Sequence, residues 1–501
     1  MAFPDNISPS MMHGIVVTAF LAATNLLVSS RKLWALSVWV YMVNLIALAL
    51  YWGIDQMTGA GFNEAALYYL INAWSDVALL WHYPAFRFGL PALLVLVWAA
   101  WWIGRRSKPA GSVALSRFSQ ALVVLTTAGL SLYMTPLSAD VRYTLDKAGV
   151  THQDEIGLPR VLDDAAEASR QFAPAVKKNL IVVYAESMEQ AFFDETLFPG
   201  LMPGLNQLMA TGVRIKNVQS APMSSWTIAG MIASQCGVPL SSHRLPNEHN
   251  DFDKFSRNAK CLAHYLSGMG YHKAFMGGAS GQFAGKADYY GAMAFEEIAG
   301  LEQLAGPNSP VSWWGIYDDE LLAAAERRLI ELRSKKPFAM VMLTLDTHAP
   351  EGHATPACVE QKIAYKDGSN AHLNNIRCSD VLLSAFLKKV IQDNIHDSTI
   401  ILLSDHVMMG SQANDELVHL GAQRLNHMVI WDKNLAPAVI SRPSNQFDLA
   451  PTMLHALSGQ SIPIGFGVSL LGQEPTLTEQ HGTQRFDSSV YAWRTSAWDQ
   501  W

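Results

Sequence analysis

NLIVVYAES (residues 179–187) opens the stretch that decides the fold, and SSWTIAGMIASQCGVPL (224–240) closes it. The apolar run from Leu180 to Tyr184 is short, uninterrupted and rich in β-branched residues, which predicts a buried strand. It delivers Glu186 to its carboxyl end. Thr227 stands where the apolar run TIAGMIASQC begins, at a predicted helix start. Outward from this stretch, YHKAFMG (271–277), FAMVMLTL (338–345) and TIILLSD (399–405) read as further strands. Between them lie the helical patterns MPGLNQLMATG (202–212), KCLAHYLSGMG (260–270), DDELLAAAERRLIELRS (318–334) and CSDVLLSAFLKKVIQD (378–393). Alternation of this kind predicts an α/β sandwich around a mostly parallel sheet. Chemistry in such sheets collects beyond the carboxyl ends of the strands. Three of the runs end there in candidate site residues: Glu186, Asp346 to His348, and Asp405–His406.

Glu186 and the Asp405–His406 pair can offer two oxygens and a nitrogen to one divalent cation, with the Thr227 hydroxyl as a fourth ligand. Such a cation makes a hydroxyl more acidic and draws charge from a phosphoryl oxygen. A helix N-terminus at Thr227 adds backbone N–H groups that favour a phosphate. One nitrogen among several oxygens suits Mn²⁺ or Mg²⁺, with Zn²⁺ as the alternative. Each residue also has a plain structural reading: an acid after a strand is common, Asp-His suits a turn, and Thr227 suits an N-cap. The four together at strand ends form the candidate site. Asp346 is either a group behind the metal or a strand-end cap, and stays outside it. His243, Arg244 and His249 either meet an anionic substrate or form a solvated polar loop, the plainer reading.

Composition supplies the setting. The chain has 501 residues, 50% hydrophobic and 16% charged, so at least two domains and membrane segments are expected. A formal charge of −7 gives no reason to expect a nucleic-acid surface. The four cysteines form no CxxC pair, which argues against a structural zinc site. Cys236–Cys261 and Cys358–Cys378 are the simplest of the three disulfide pairings; four buried thiols are the alternative. Disulfides require an oxidising compartment.

Four apolar stretches precede residue 140, at about 11–28, 33–52, 88–103 and 118–134. Each is close to the ~20 residues a helix needs to cross a bilayer. No basic region precedes the first, which disfavours a signal peptide. Arg31 and Lys32 separate the first two stretches; Arg105, Arg106, Lys108 and Arg117 separate the last two. With basic loops inside, the N-terminus and everything after the fourth span lie outside the cytoplasm, where disulfides persist. The outer loop FNEAALYYLINAWSDVALLW (62–81) suits a helix in the membrane interface or one packed on the neighbouring spans. Residues 1–136 are thus expected as a four-helix transmembrane domain, 137–178 as a helical linker, 179–475 as the catalytic domain and 476–501 as a C-terminal tail.

The order VYAES, FPxLMPxLNxLxxxG, a Thr opening a helix, TLDTH and LLSDH resembles the sulfatase-like branch of the alkaline phosphatase superfamily. Within it the chain resembles membrane-anchored phosphoglycerol transferases, a group that includes lipoteichoic acid synthases. The closer likeness is to phosphoglycerol transferase I of osmoregulated periplasmic glucans. AESMEQAFFD, WTIAGMIASQCGVPL, FAGK (283–286), GIYDDELL (315–322), TLDTHAPEG (344–352) and, in the outer loop, GAGFNEAALYYL carry it, and it extends to FGVSL (466–470).

The resemblance implies an α-helical membrane domain plus an alkaline phosphatase-like α/β domain. Glu186, Thr227, Asp405 and His406 match metal ligands, with Thr227 also the nucleophile. His348 matches a histidine near the phosphoryl oxygens or leaving group. Lys286 falls where the teichoic acid synthases bind phosphoglycerol with an arginine; a lysine offers a point charge rather than a fork. The implied reaction moves phosphoglycerol from phosphatidylglycerol to a periplasmic glucan, or another hydroxyl acceptor, at the bacterial inner membrane. Phosphoethanolamine transfer and head-group phosphodiester hydrolysis are the nearest alternatives, and a non-catalytic sensor is another. Long members continue into a further periplasmic region, whereas this sequence stops soon after Leu471 with the short tail YAWRTSAWDQW, which leaves the acceptor open.

Overall fold

The computed structural model describes residues 28, 30–58, 66, 116–134, 156, 177–240, 259–349 and 351–497. The chain divides into two compact units, Met1–Gly149 and Val150–Trp501.

In the first unit the helices Arg31–Thr58 and Arg117–Met134 occur where the second and fourth apolar stretches were read. They meet at Gln120, whose Oε1 accepts a 3.0 Å hydrogen bond from the Ser30 amide. Among the described residues no helix is long and apolar enough to cross a membrane. The stretches 11–28 and 88–103 and the outer segment 62–81 lie outside the described residues, but for Val28 and Ala66.

The second unit is built on a nine-stranded sheet. Its strands are β1 (Asn179–Ala185), β2 (Val213–Gln219), β3 (His272–Gly277), β4 (Glu297–Ala299), β5 (Phe338–Leu343), β6 (Ser398–Ser404), β7 (Asn426–Trp431), β8 (Ala438–Ile440) and β9 (Ser444–Asn445). The order is β4-β3-β5-β1-β6-β7-β2-β8, with β9 beside β2, and β7 runs against its neighbours. The four runs read as strands from the sequence are β1, β3, β5 and β6. Every residue of β1, β5 and β6 is buried, because helices cover both faces of the sheet.

Strand alternation assigns β1 to two layers. Ile181 and Val183 share a core with Leu205, Leu329, Leu383 and Leu387 from the helices Pro203–Met209, Asp318–Leu332 and Ala371–Asn394. On the other face, the Tyr184 hydroxyl pairs with Ser234 Oγ at 2.7 Å, tying β1 to the helix Thr227–Cys236. That helix packs with Leu262–Gly268 and Leu449–Ser458. Beyond residue 475 the chain forms the helices Leu477–His481 and Thr483–Ala497, and Phe486 and Trp493 pack against Phe466. Cys236–Cys261 and Cys358–Cys378 are both disulfide-bonded, as the local pairing predicted.

Candidate active site

Sheet register brings the first residues of the site together. Ala185 pairs with Ser404 across the parallel β1–β6 ladder, so Glu186 and Asp405 leave the sheet side by side. Ser187 then turns the chain with a left-handed φ of 55° and donates its amide to Asp405 Oδ1 at 2.8 Å. The Ser187 hydroxyl donates to Glu186 Oε1 at 2.9 Å. The segment leaving β5 supports the turn from its other side: the Glu186 amide donates to Thr344 Oγ1 at 3.0 Å, and the Thr347 hydroxyl to the Glu186 carbonyl at 2.5 Å.

Thr227 reaches this point because its helix starts there and packs unusually close. Trp226 is extended, and Thr227 is the first helical residue. One turn on, Gly230 presses against the Asp405 backbone; a Cβ there would lie 2.1 Å from the Asp405 carbonyl oxygen. The same carbonyl accepts a 2.6 Å hydrogen bond from Gln446 Nε2, and Gln446 Oε1 accepts from the Ala221 amide at 3.1 Å. One glutamine therefore joins the Asp405 loop to the segment leading into Thr227. At the far end the helix stops at Cys236, bridged to Cys261, with Gly237 at a left-handed φ of 64°.

Glu186, Asp405 and His406 are all buried, and each offers a ligand atom within 4.8 Å of the others. His406 Nδ1 lies 2.7 Å from the Val407 carbonyl. Nδ1–H therefore donates there, and Nε2 turns to the cluster, 3.4 Å from Glu186 Oε1, 3.3 Å from Asp405 Oδ2 and 3.3 Å from Thr227 Oγ1. Asp405 Oδ2 is buried without a hydrogen bond. Burial opposes charge on all three groups. Glu186 nonetheless falls to about 2, since His406 and His348 favour its anion. Asp405 is pushed up to about 7 by burial and by the Glu186 charge. Burial disfavours the His406 cation, but Asp405 and Glu186 outweigh it and raise His406 to about 9. Such a centre calls for positive charge. A divalent cation among Glu186, Asp405, His406 and Thr227 would supply it and give the orphaned Asp405 oxygen a partner.

The structure brings His348 and Lys286 to the neighbouring wall. His348 is buried and donates through Nδ1 to the Ala349 carbonyl at 2.7 Å, leaving Nε2 as its acceptor. Burial lowers its pKa, against the pull of the Glu186 charge. Lys286 Nζ donates to the Phe283 carbonyl at 2.9 Å and lies 4.7 Å over the Phe283 ring. Phe283 meets Trp314 edge-on, and Trp314 lies 4.1 Å from His348 between ring centres.

Asp346 is not in the Glu186–Asp405–His406 cluster. It exchanges hydrogen bonds with Asp318: Asp346 Oδ2 accepts from the Asp318 amide at 3.0 Å, and Asp318 Oδ2 accepts from the Asp346 amide at 3.1 Å. The pair fastens the end of β5 to the start of the Asp318–Leu332 helix, and burial raises both carboxyls. His243, Arg244 and His249 lie outside the described residues.

Sequence reasoning passed over Glu189 and Arg424. Arg424 Nε donates to both Glu189 oxygens, at 2.9 and 2.8 Å, and its other nitrogens reach Asn414 Oδ1 at 2.7 Å and the Met408 carbonyl. The Met408 amide donates to Glu189 Oε2 at 3.0 Å. This clamp holds together the loops that carry Glu186 and His406. Its sequence signal was an acid three residues after Glu186, with nothing to name its distant partner.

The sulfatase family pattern matches residues 178–459, more than half of the chain. The chain belongs to the sulfatase family. Ahead of that match, residues 11–152 match the N-terminal domain of phosphoglycerol transferase I. Phosphoglycerol transferase I of Xanthomonas campestris pv. campestris is 31% identical over 479 residues, covering 92% of this chain and 65% of the relative. The Escherichia coli protein of that name is 30% identical over 423 residues, covering 83% and 54%. The chain thus spans under two thirds of the length of these relatives. The crystal structure of the lipoteichoic acid synthase LtaP from Listeria monocytogenes superposes with a TM-score of 0.52 at 14% identity, over 67% of this chain and 97% of that one. That likeness is one of fold, the α/β alkaline phosphatase-like architecture expected for this unit.

Proposed function

We propose that the protein transfers phosphoglycerol from phosphatidylglycerol to a hydroxyl acceptor, a periplasmic glucan in the first instance, through a phosphoglycerol–Thr227 ester. The observation that carries this reading is the Thr227 hydroxyl at a helix start, 3.3 Å from His406 Nε2 in a buried Glu–Asp–His cluster. Thr227 Oγ1 attacks the phosphorus, the bond from phosphorus to the diacylglycerol oxygen breaks, and the hydroxyl proton ends on diacylglycerol. The acceptor oxygen then attacks the same phosphorus, and its proton ends on the released Thr227. Neutral His348, with Nε2 unprotonated, carries the proton between these oxygens. Lys286 and the backbone N–H groups opening the Thr227 helix hold the phosphate. Glu186, Asp405, His406 and Thr227 would hold one divalent cation, Mn²⁺ or Mg²⁺ first; when bound it supplies a lowered hydroxyl pKa and charge withdrawal from the phosphoryl group.

The match of residues 11–152 to the phosphoglycerol transferase I N-terminal domain and the names of the relatives support the donor. The apolar stretches and basic loops support a multi-pass inner-membrane anchor with the second unit in the periplasm, and two disulfides suit that compartment. Anchoring keeps the site near a substrate that stays in the bilayer. A threonine cannot be converted to formylglycine, which disfavours sulfate ester hydrolysis.

Mass spectrometry after exposure to phosphatidylglycerol tests the proposal. A phosphoglycerol adduct on Thr227, absent from Thr227→Ala, is expected. Undiminished diacylglycerol release by Thr227→Ala overturns the mechanism, and an adduct formed only from phosphatidylethanolamine overturns the donor.

A further inference from the structure

A row of rings leads away from the reacting centre. Trp314 is buried against His348, and the half-buried Trp313 stacks on Trp314 with ring centres 4.3 Å apart and planes 30° from parallel. His353 meets Trp313 edge-on at 5.4 Å. The order of rings from His348 is Trp314, then Trp313.

The turn that carries both tryptophans is held tightly. The Ser312 amide donates to the Gly315 carbonyl at 2.7 Å, and Ser312 Oγ accepts from the amides of Trp314 and Gly315 at 3.2 and 3.3 Å. Bridges join Val311 to Ile316 and Gly315 to Ala279. Gly315 has φ 152°, and a Cβ there would lie 2.1 Å from the Gly278 carbonyl oxygen, so the turn is seated on the backbone just after β3. A large ring is thus presented without a large ordering cost on binding.

We propose that Trp313 is the acceptor platform of this site, stacking its indole against a pyranose ring of the sugar that receives the phosphoryl group. The proposal rests on the transferase reading above and adds where the acceptor binds. Charge recognition belongs to Lys286 and the metal-ligating cluster, nearer Thr227. Trp313 lies two rings beyond His348, and its half-buried indole is uncharged, which suits the C–H face of a neutral sugar. His353 meets the Trp313 edge, and burial lowers His353 to about 4, so that ring is neutral and adds no charge beside the indole. Acyl chains of the donor stay in the bilayer and need no such surface.

The test uses the full chain in nanodiscs containing phosphatidylglycerol, with laminarihexaose and glycerol as alternative acceptors. Trp313→Ala is expected to raise KM for laminarihexaose about tenfold or more, with KM for glycerol within about twofold of the parent. Trp313→Phe, which keeps a ring, should recover most of the loss. An unchanged KM for laminarihexaose overturns the proposal. Equal losses with both acceptors, or slower diacylglycerol release before acceptor is added, overturn it too, by assigning the ring to the donor or to the fold. Failure of the transferase reading shows separately, as a parent protein that forms no adduct on Thr227.

Discussion

Gly230 and Asp405 touch backbone to backbone: a methyl group on Gly230 would stand 2.1 Å from the Asp405 carbonyl oxygen. Glycine ordinarily weakens a helix by about 1 kcal/mol relative to alanine. Here Gly230→Ala should instead destabilise the protein by about 1–3 kcal/mol, because the helix must shift off a fully packed neighbour. The same shift moves Thr227 from His406, so metal affinity and diacylglycerol release should fall together. Thermal unfolding with metal titration by calorimetry checks both.

Arg424 neutralises a carboxylate that is wholly buried at Glu189. Arg424→Gln strands that charge and should cost roughly 3 kcal/mol. Adding Glu189→Gln removes the stranded charge, so the double variant should be more stable than the sum of the single losses allows. A denaturant-based double-mutant cycle gives the coupling. Weakened cation binding in Arg424→Gln, measured separately, would show that the clamp also sets the spacing of the Glu186 and His406 loops.

The Cys236–Cys261 bridge closes a separation of 25 residues at the end of the Thr227 helix. Loop-closure entropy predicts a loss of roughly 3 kcal/mol in the Cys236→Ala, Cys261→Ala double variant. Unfolding of the parent with and without reductant, beside this variant, checks it.

His427 is buried edge-on to Phe193 at 4.6 Å, and burial followed by the Arg214 charge lowers it to about 3. A base with a depressed folded pKa contributes stability above its unfolded value of about 6.5, lost as pH falls toward 3. At pH 5 this loss is about 2 kcal/mol. His427→Phe keeps the ring packing and cannot bind the proton. It should match the parent near pH 8 and exceed it near pH 5, in unfolding followed across that range.

Sequence alone determined the central strands and the residues that leave them. Strands β1, β5 and β6 are covered on both faces, so they are written as unbroken apolar runs, and Glu186, Asp405 and His406 follow at once. Thr227 was legible because a hydroxyl precedes an apolar helical run. Four others were not: β2 interleaves Arg214 and Lys216, β7 opens with Asn426 and His427, and β4 and β8 have three residues each. Their pairing depends on neighbours distant in the chain. The helix Ala371–Asn394 extends seven residues before the stretch read as helical, because its first turns carry polar side chains. Tertiary structure alone decided that Asp346 pairs with Asp318, that Arg424 holds Glu189, that Trp313 stacks on Trp314, and how near Thr227 stands to His406. Periodicity reports which face a residue buries; only the folded chain sets which distant atom it meets.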